Sequence, residues 1–311
     1  MNQPVLEDRL RGGLLGLLVG DAVGVPYEFR SPDRIPSRHQ IEMVPPAGYD
    51  RAHSGVQPGT WSDDGAQALC LLASLLHCGR LDLPDLGRRL QNWLRVGYMA
   101  VGYDVFDVGG TTHEAIRRLE VGIPAEEAGP ADEHSNGNGS LMRVLPLALW
   151  HKGSDEELIR DARRQSLVTH GHVRSQLGCA LYCLWARGEL AGQVDAWNGA
   201  VARLRELLAG RNDEREELER EILACNVPGG TGYVVDCLHS AAFSCKAADY
   251  ESIVREAIAL GQDTDTTACV AGGIAGIRHG LSGIPKRWLV GLREQETVEP
   301  LLNGLLKHRG V

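Results

Sequence analysis

Glycine recurs every four residues, at 12, 16, 20 and 24, in "RLRGGLLGLLVGDAVGVPYEF", from Arg9 to Phe29. On a helix this spacing makes one bare stripe, where another backbone can come close. Each glycine in a helix interior costs roughly 0.5–1 kcal/mol relative to alanine. A run of them points to tight helix packing, or to a ligand approached by backbone.

Helical periodicity dominates the rest of the chain. Ala66, Leu69, Leu72, Ala73 and Leu76 follow a 3.6-residue period after Asp64. Further helices are expected around 82–97, 112–121, 154–168, 173–188, 194–209, 213–225, 233–243, 249–260 and 267–279. Strand alternation is scarce, and Gly/Asn clusters at 108–110, 136–139 and 228–232 separate the helices. The charge run Arg211 to Glu221 reads as a solvated helix face. Residues 30–59, rich in Pro, Arg and Gly, form a long loop, and long loops in compact domains are often functional. With no solenoid repeat and no linker, residues 1–311 are read as a single all-α domain.

The chain is 43% hydrophobic and 23% charged, ordinary for a soluble globular protein. A net charge of −9 argues against non-specific nucleic-acid binding. A phosphate-bearing ligand can still bind locally, through backbone N–H groups or a bound cation. The eight cysteines form no CxxC pair, which fits a reducing compartment without a disulfide framework. Cys179 and Cys183 could share a helix face, but no second ligand pair of zinc spacing follows. Glu7 and Asp8 precede the first apolar run and Asp21 interrupts it, unlike a signal peptide. Gly12 to Val25 is too short to span a bilayer. A cytoplasmic monomer with no membrane association is expected.

Two acidic stretches carry the chemistry. "TWSDDGAQAL" (Thr60 to Leu69) sets Asp63 and Asp64 at the start of a helix, where each could be an N-cap or a favourable first-turn charge. "GQDTDTTACVAGGIAGI" (Gly261 to Ile277) sets Asp263 and Asp265 before another helical run. A helix needs one cap, not two aspartates and three threonines. If the stretches converge, the carboxylates must protonate, separate or bind cations. Two divalent cations would balance four negative charges. The donors are hard oxygens, with Ser62 and Thr266 adding hydroxyls, which favours Mg²⁺ or Mn²⁺ over zinc.

"GLLVGDAVGVPYEF", "TWSDDGAQAL", "SNGNGSLMRVLPLAL", "THGH" and "GQDTDTTACVAGGIAG" occur in this order. Together they resemble the ADP-ribosylglycohydrolase family over essentially the whole chain. The resemblance implies a compact all-α fold, a binuclear Mg²⁺ or Mn²⁺ centre and hydrolysis of the glycosidic bond to ADP-ribose. It implies Ser62, Asp63, Asp64, Asp263, Asp265 and Thr266 as metal ligands. Glu28, in "PYEF", matches a glutamate that faces the substrate ribose in some branches. Asn136, Gly137, Asn138, Gly139 and Ser140 match the substrate loop, and Gly110 lies in a second glycine turn where a pyrophosphate could sit. His170 is implied in the substrate pocket, while His172 is as well read as a helix-start residue.

The expected substrate is an ADP-ribosylated protein, with arginine the foremost linkage and ADP-ribose the product. Serine, an acetyl ester and a nucleic-acid base remain open as linkages. Asp63 is the favoured general acid or base, with Glu28 as the alternative. A silent ADP-ribose-binding module and a structural protein are the competing classes, and the filled acidic motifs argue against both. The 30–59 loop and the segment 226–232 are where specificity could differ.

Overall fold

A computed structural model describes residues 4–224 and 227–311, and among these there are fourteen α-helices and no strand. In chain order they are α1 (Leu6–Gly24), α2 (Asp63–Cys78), α3 (Leu83–Val96), α4 (Gly110–Glu120), α5 (Leu145–Trp150), α6 (Asp155–Leu167) and α7 (Val173–Leu190). Then follow α8 (Ala196–Leu207), α9 (Asn212–Glu217), α10 (Val234–Ser244), α11 (Tyr250–Ala259), α12 (Thr264–His279), α13 (Lys286–Gly291) and α14 (Gln295–Arg309).

The glycine stripe of α1 is met by a matching stripe on α12. A Cβ at Gly16 would lie 2.5 Å from the Gly272 carbonyl oxygen, and one at Gly272 would lie 2.5 Å from that of Gly16. Gly12 faces Gly276, Gly20 faces Ala268, and Gly24 abuts Thr264 and Asp265. The two helices therefore run antiparallel with backbones in contact, buried over most of their length. Tyr250 and Thr264 tie the pair further, their hydroxyls donating to the carbonyls of Gly16 (2.7 Å) and Gly24 (2.9 Å). This register is what brings the C-terminal end of α1 to the N-terminal end of α12.

Most helix limits follow local chemistry. Ser62 caps α2 through its Oγ, and Gly79 ends that helix at φ +65°. Ser154 and Glu157 form a reciprocal capping box on α6. The charge run folds as α9 and continues into a wider turn at Leu218–Ile222; Cys225, the expected end of that helix, lies outside the described residues. Three helices were not expected. In α5 and α14 a proline, at Pro146 and Pro300, masks the helical signal, and α13 is only six residues long.

The seven described cysteines are free, and all but Cys78 are buried. Cys225 and Asn226 lie outside the described residues. Among those described, no helix is long and apolar enough to cross a membrane.

Candidate active site

Asp21, near the end of α1, pins the start of α2. Its carboxylate accepts hydrogen bonds from the backbone N–H groups of Ser62 (2.9 Å) and Gly65 (2.8 Å). With α12 already fixed against α1, the first turns of α2 and α12 are driven together. There Thr266 donates to Asp64 Oδ1 at 3.2 Å. The acidic stretches thus converge, although 202 residues separate these partners.

The convergence decides the capping question. The cap of α2 is Ser62, whose Oγ accepts from the Asp64 N–H at 3.3 Å. Asp63 and Asp64 are the first two residues of the helix proper, and Asp263 stands at the cap position of α12 without making a side-chain cap bond.

Asp21, Asp64 and Asp265 each bring a carboxylate oxygen within 4.8 Å of the others, and so do Glu28, Asp263 and Asp265. Asp265 belongs to both groups; Asp63 belongs to neither and lines the adjoining cavity instead. Burial raises the Asp63, Asp64 and Asp265 carboxyls well above their usual range, with neighbouring carboxylates adding to the effect. Asp21 is raised to about 7, also chiefly by burial. Asp64 Oδ2, Asp263 Oδ1 and both Asp265 oxygens are buried without a hydrogen-bond partner. Unpartnered buried carboxylate oxygens are costly, and hard divalent cations are the ligands that suit them. The residues present therefore fit the expected cation site.

Beside this cluster lies a cavity of about 260 Å³. Its wall includes Glu28, Asp63, Asp107, Asp263 and Thr266 on the acidic side. Gly109, Gly110, Gly137, Asn138, Gly139 and His170 also contribute to it. Gly110 opens α4, so the cavity meets the free N–H groups of a helix start. Asn138 donates its amide to Asp263 Oδ2 at 2.8 Å, coupling the glycine loop to the acidic cluster. His170 packs behind that loop: a Cβ at Gly139 would lie 2.9 Å from its ring. Burial, with Arg143 nearby, pushes His170 down to about 3, so the ring stays neutral.

Some expected residues serve the frame rather than the wall. Asn136 accepts from the Ser175 hydroxyl (3.0 Å) and donates to the Glu133 carbonyl (3.1 Å). Ser140 is fully buried and accepts from the Ser166 hydroxyl at 2.8 Å. Both hold the loop from behind. His172 caps α7, its Nδ1 accepting from the Arg174 N–H at 3.2 Å. Of the segment 226–232, Gly232 reaches the cavity and its carbonyl accepts from the Asn138 N–H at 3.0 Å.

Asp107 and His53 were not foreseen. Asp107 immediately precedes the glycine turn before α4, and burial together with the Asp263 charge raises it to about 6. His53 comes from the long loop, and its Nε2 lies 2.7 Å from Glu28 Oε2. Burial, with Asp107, Asp263 and Asp63 close by, pushes Glu28 up to about 11. Phe29, His53, Asp107 and Gln262 hold φ values of +59°, +46°, +56° and +61°, a region non-glycine residues seldom adopt. Such strain gathers at functional sites, where surrounding contacts enforce it.

A model of the ADP-ribosylglycohydrolase family matches residues 2–311. An ADP-ribosylarginine hydrolase of Serratia proteamaculans is 31% identical over 304 residues, covering 96% of this chain and 79% of that protein. The ADP-ribosyl-[dinitrogen reductase] glycohydrolase of Rhodospirillum rubrum is 29% identical over 296 residues, covering 93% of this chain and 92% of that protein. A solved structure described as an ADP-ribosylglycohydrolase-related protein complex aligns with a TM-score of 0.76 at 31% identity, over 97% of this chain and 98% of that one.

Proposed function

The chain belongs to the ADP-ribosylglycohydrolase family, and from that premise we propose that it frees arginine side chains of modified proteins from ADP-ribose, using two Mg²⁺ or Mn²⁺ ions. The observation that carries the reading is the meeting of α2 and α12, which leaves buried carboxylate oxygens of Asp64, Asp263 and Asp265 without partners. Asp63, Asp64, Asp263, Asp265 and Thr266 are the proposed ligands, Ser62 supporting them as the cap of α2. Asp21 holds that helix start in place. When bound, such cations would neutralise the carboxylates and act as Lewis acids toward ribose hydroxyls.

The linkage is inferred from the relatives named as arginine hydrolases and from the acidic character of the cavity wall. An ADP-ribosylated guanidinium is already cationic. Breaking its bond to the anomeric carbon releases a neutral guanidine and leaves an oxocarbenium-like centre. The oxygen of water bonds to that carbon, and one water proton must pass through a base to the guanidine. Asp107, on the cavity wall and raised to about 6, suits this role. Asp63 suits it less, because it is a proposed ligand and its Oδ2 accepts from Gln67 at 3.0 Å. Glu28 lies on the same wall, with its Oε2 2.7 Å from His53 Nε2, within reach of a ribose hydroxyl bound there. The backbone N–H groups around Gly110 and Gly137–Gly139 supply remote binding to pyrophosphate and ribose oxygens. The proposal also places the enzyme in the cytoplasm as a monomer.

The test is release of free ADP-ribose from an arginine-modified protein, run with Mg²⁺, with Mn²⁺ and after chelation. Serine-linked and acetyl-ester substrates run alongside. Failure to cleave the arginine linkage while cleaving another would overturn the substrate assignment. Full activity after exhaustive chelation would overturn the metal assignment.

A further inference from the structure

We propose that Phe29 is a specificity-determining residue, its exposed ring the platform on which the guanidinium of the modified arginine stacks. The inference rests on the arginine reading above and names the part of the chain that would recognise the leaving group. Phe29 follows Glu28 and lies on the cavity wall, yet 62% of its surface is exposed. Exposing so large a ring forgoes the gain of burying it. Nor is the ring placed there by easy backbone geometry, since Phe29 sits at φ +59°. The conformation is enforced from α12's approach: the Phe29 N–H donates to the Gln262 carbonyl and the Gln262 N–H to the Arg30 carbonyl, each at 2.7 Å. Behind Phe29 the aromatic packing continues, with His53 at 5.5 Å and Phe106 a further 5.0 Å from His53. One apolar ring is thus left uncovered, on a backbone held by two hydrogen bonds, along the wall that also carries Glu28, Asp107 and Asp263.

That combination selects the chemistry of the occupant. A planar cation gains at once from the ring face and from Asp107, the wall carboxylate outside the proposed ligands. An adenine ring would gain only the stacking. Its linked pyrophosphate would bring negative charge toward Asp107, whereas the glycine turns elsewhere in the cavity offer donors. A serine-linked substrate presents no planar cation and gains nothing from Phe29.

The experiment compares wild type, Phe29→Ala and Phe29→Tyr. It uses steady-state hydrolysis of an arginine-linked ADP-ribosyl peptide, calorimetric binding of free ADP-ribose, and inhibition by methylguanidine. Phe29→Ala should raise KM for the peptide roughly three- to thirty-fold, the span of a cation–ring contact, with kcat changed much less. It should weaken inhibition by methylguanidine and leave ADP-ribose affinity within twofold. Phe29→Tyr should restore KM. An unchanged KM in Phe29→Ala, or an ADP-ribose affinity that falls in step with KM, overturns the inference, the second outcome assigning the ring to the nucleotide. A wild type that does not cleave the arginine linkage at all overturns the arginine reading, and the inference with it.

Discussion

The Thr266 hydroxyl donates to Asp64 Oδ1 at 3.2 Å, while the other oxygen of Asp64 is buried without a partner. One bond joins the two acidic stretches and one lone carboxylate oxygen is left over. Asp64→Asn tests what that oxygen is for. The cap of α2 belongs to Ser62, so the substitution leaves helix capping intact. Without metal, the variant should be as stable as wild type or more so, because a buried like-charge neighbour has been removed. With Mg²⁺, its gain in melting temperature should be much smaller than that of wild type, and turnover should be lost. Ser62→Ala should behave differently, losing about 0.5–2 kcal/mol with or without metal. Thermal melts at both metal conditions separate the two. A normal metal-induced shift in Asp64→Asn would remove Asp64 from the ligand set.

The stripe predicts a second, purely steric effect. A Cβ on Gly20 would run into the Ala268 carbonyl, backbone against backbone, with no flexible side chain to give way. Gly20→Ala should destabilise by about 3 kcal/mol or more, the upper part of the range for overpacked cores. Activity should fall as well, because α1 and α12 carry Asp21 and Asp265. Gly55 has open space around it, and Gly55→Ala should change stability by less than about 0.5 kcal/mol. Urea denaturation of both variants checks the contrast. Equal stabilities would mean that the two backbones are not in contact.

Much of this arrangement is legible from the sequence because it is written in local patterns. A four-residue glycine period marks a contact face whatever it packs against, and Gly12, Gly16, Gly20 and Gly24 all lie in the contact with α12. Two aspartates before each of two helical runs exceed what capping requires, and Asp64, Asp263 and Asp265 do converge, with Asp63 on the adjoining cavity wall. What is not legible depends on tertiary placement. Asp107 is an ordinary loop acid until α4 and the acidic cluster surround it. His53 becomes a partner of Glu28 only because the 30–59 loop folds back onto the turn after α1, where the Ala52 N–H donates to the Pro26 carbonyl. Asn136 and Ser140 share a motif with Asn138 but turn away from the cavity, since neighbouring residues in a tight loop cannot all face one side. Pattern identifies the loop, and the packing of α7 against it decides which of its side chains remain free.

His170 supplies a pH dependence. Its ring is held neutral to about pH 3 in the folded protein, against an ordinary value of 6.5. Between these values the unfolded chain binds a proton that the folded chain refuses, so stability falls as the pH drops below 6.5. Relative to a His170→Gln variant, wild type should lose about 1.4 kcal/mol between pH 7.5 and pH 5.5, from the proton uptake of one such histidine. Denaturation of both proteins at the two pH values measures the difference directly. A wild-type to variant gap that does not move with pH would show that the ring accepts its proton in the folded state.

Asp107 and Asp63 both face the cavity, and their asparagine variants should fail in different ways. Asp107 is the proposed base and not a proposed ligand, although it shares a third group of close donor atoms with Glu28 and His53, and it sits at φ +56°, where asparagine is at least as well tolerated as aspartate. Asp107→Asn should therefore fold normally and keep its Mg²⁺-induced rise in melting temperature. It should bind free ADP-ribose within a few-fold of wild type, because the backbone donors of the glycine turns are untouched. Only the proton acceptor is gone, so kcat should fall by about 10²–10⁴, the usual worth of a positioned base. Asp63 is a proposed ligand beside the acidic cluster, and Asp63→Asn should reduce the metal-induced shift together with turnover. Melts with and without Mg²⁺, ADP-ribose calorimetry and single-turnover rates on each variant distinguish these outcomes. If Asp107→Asn instead loses the metal-induced shift while Asp63→Asn retains it and loses only kcat, the two roles are exchanged, and Asp63 is the base.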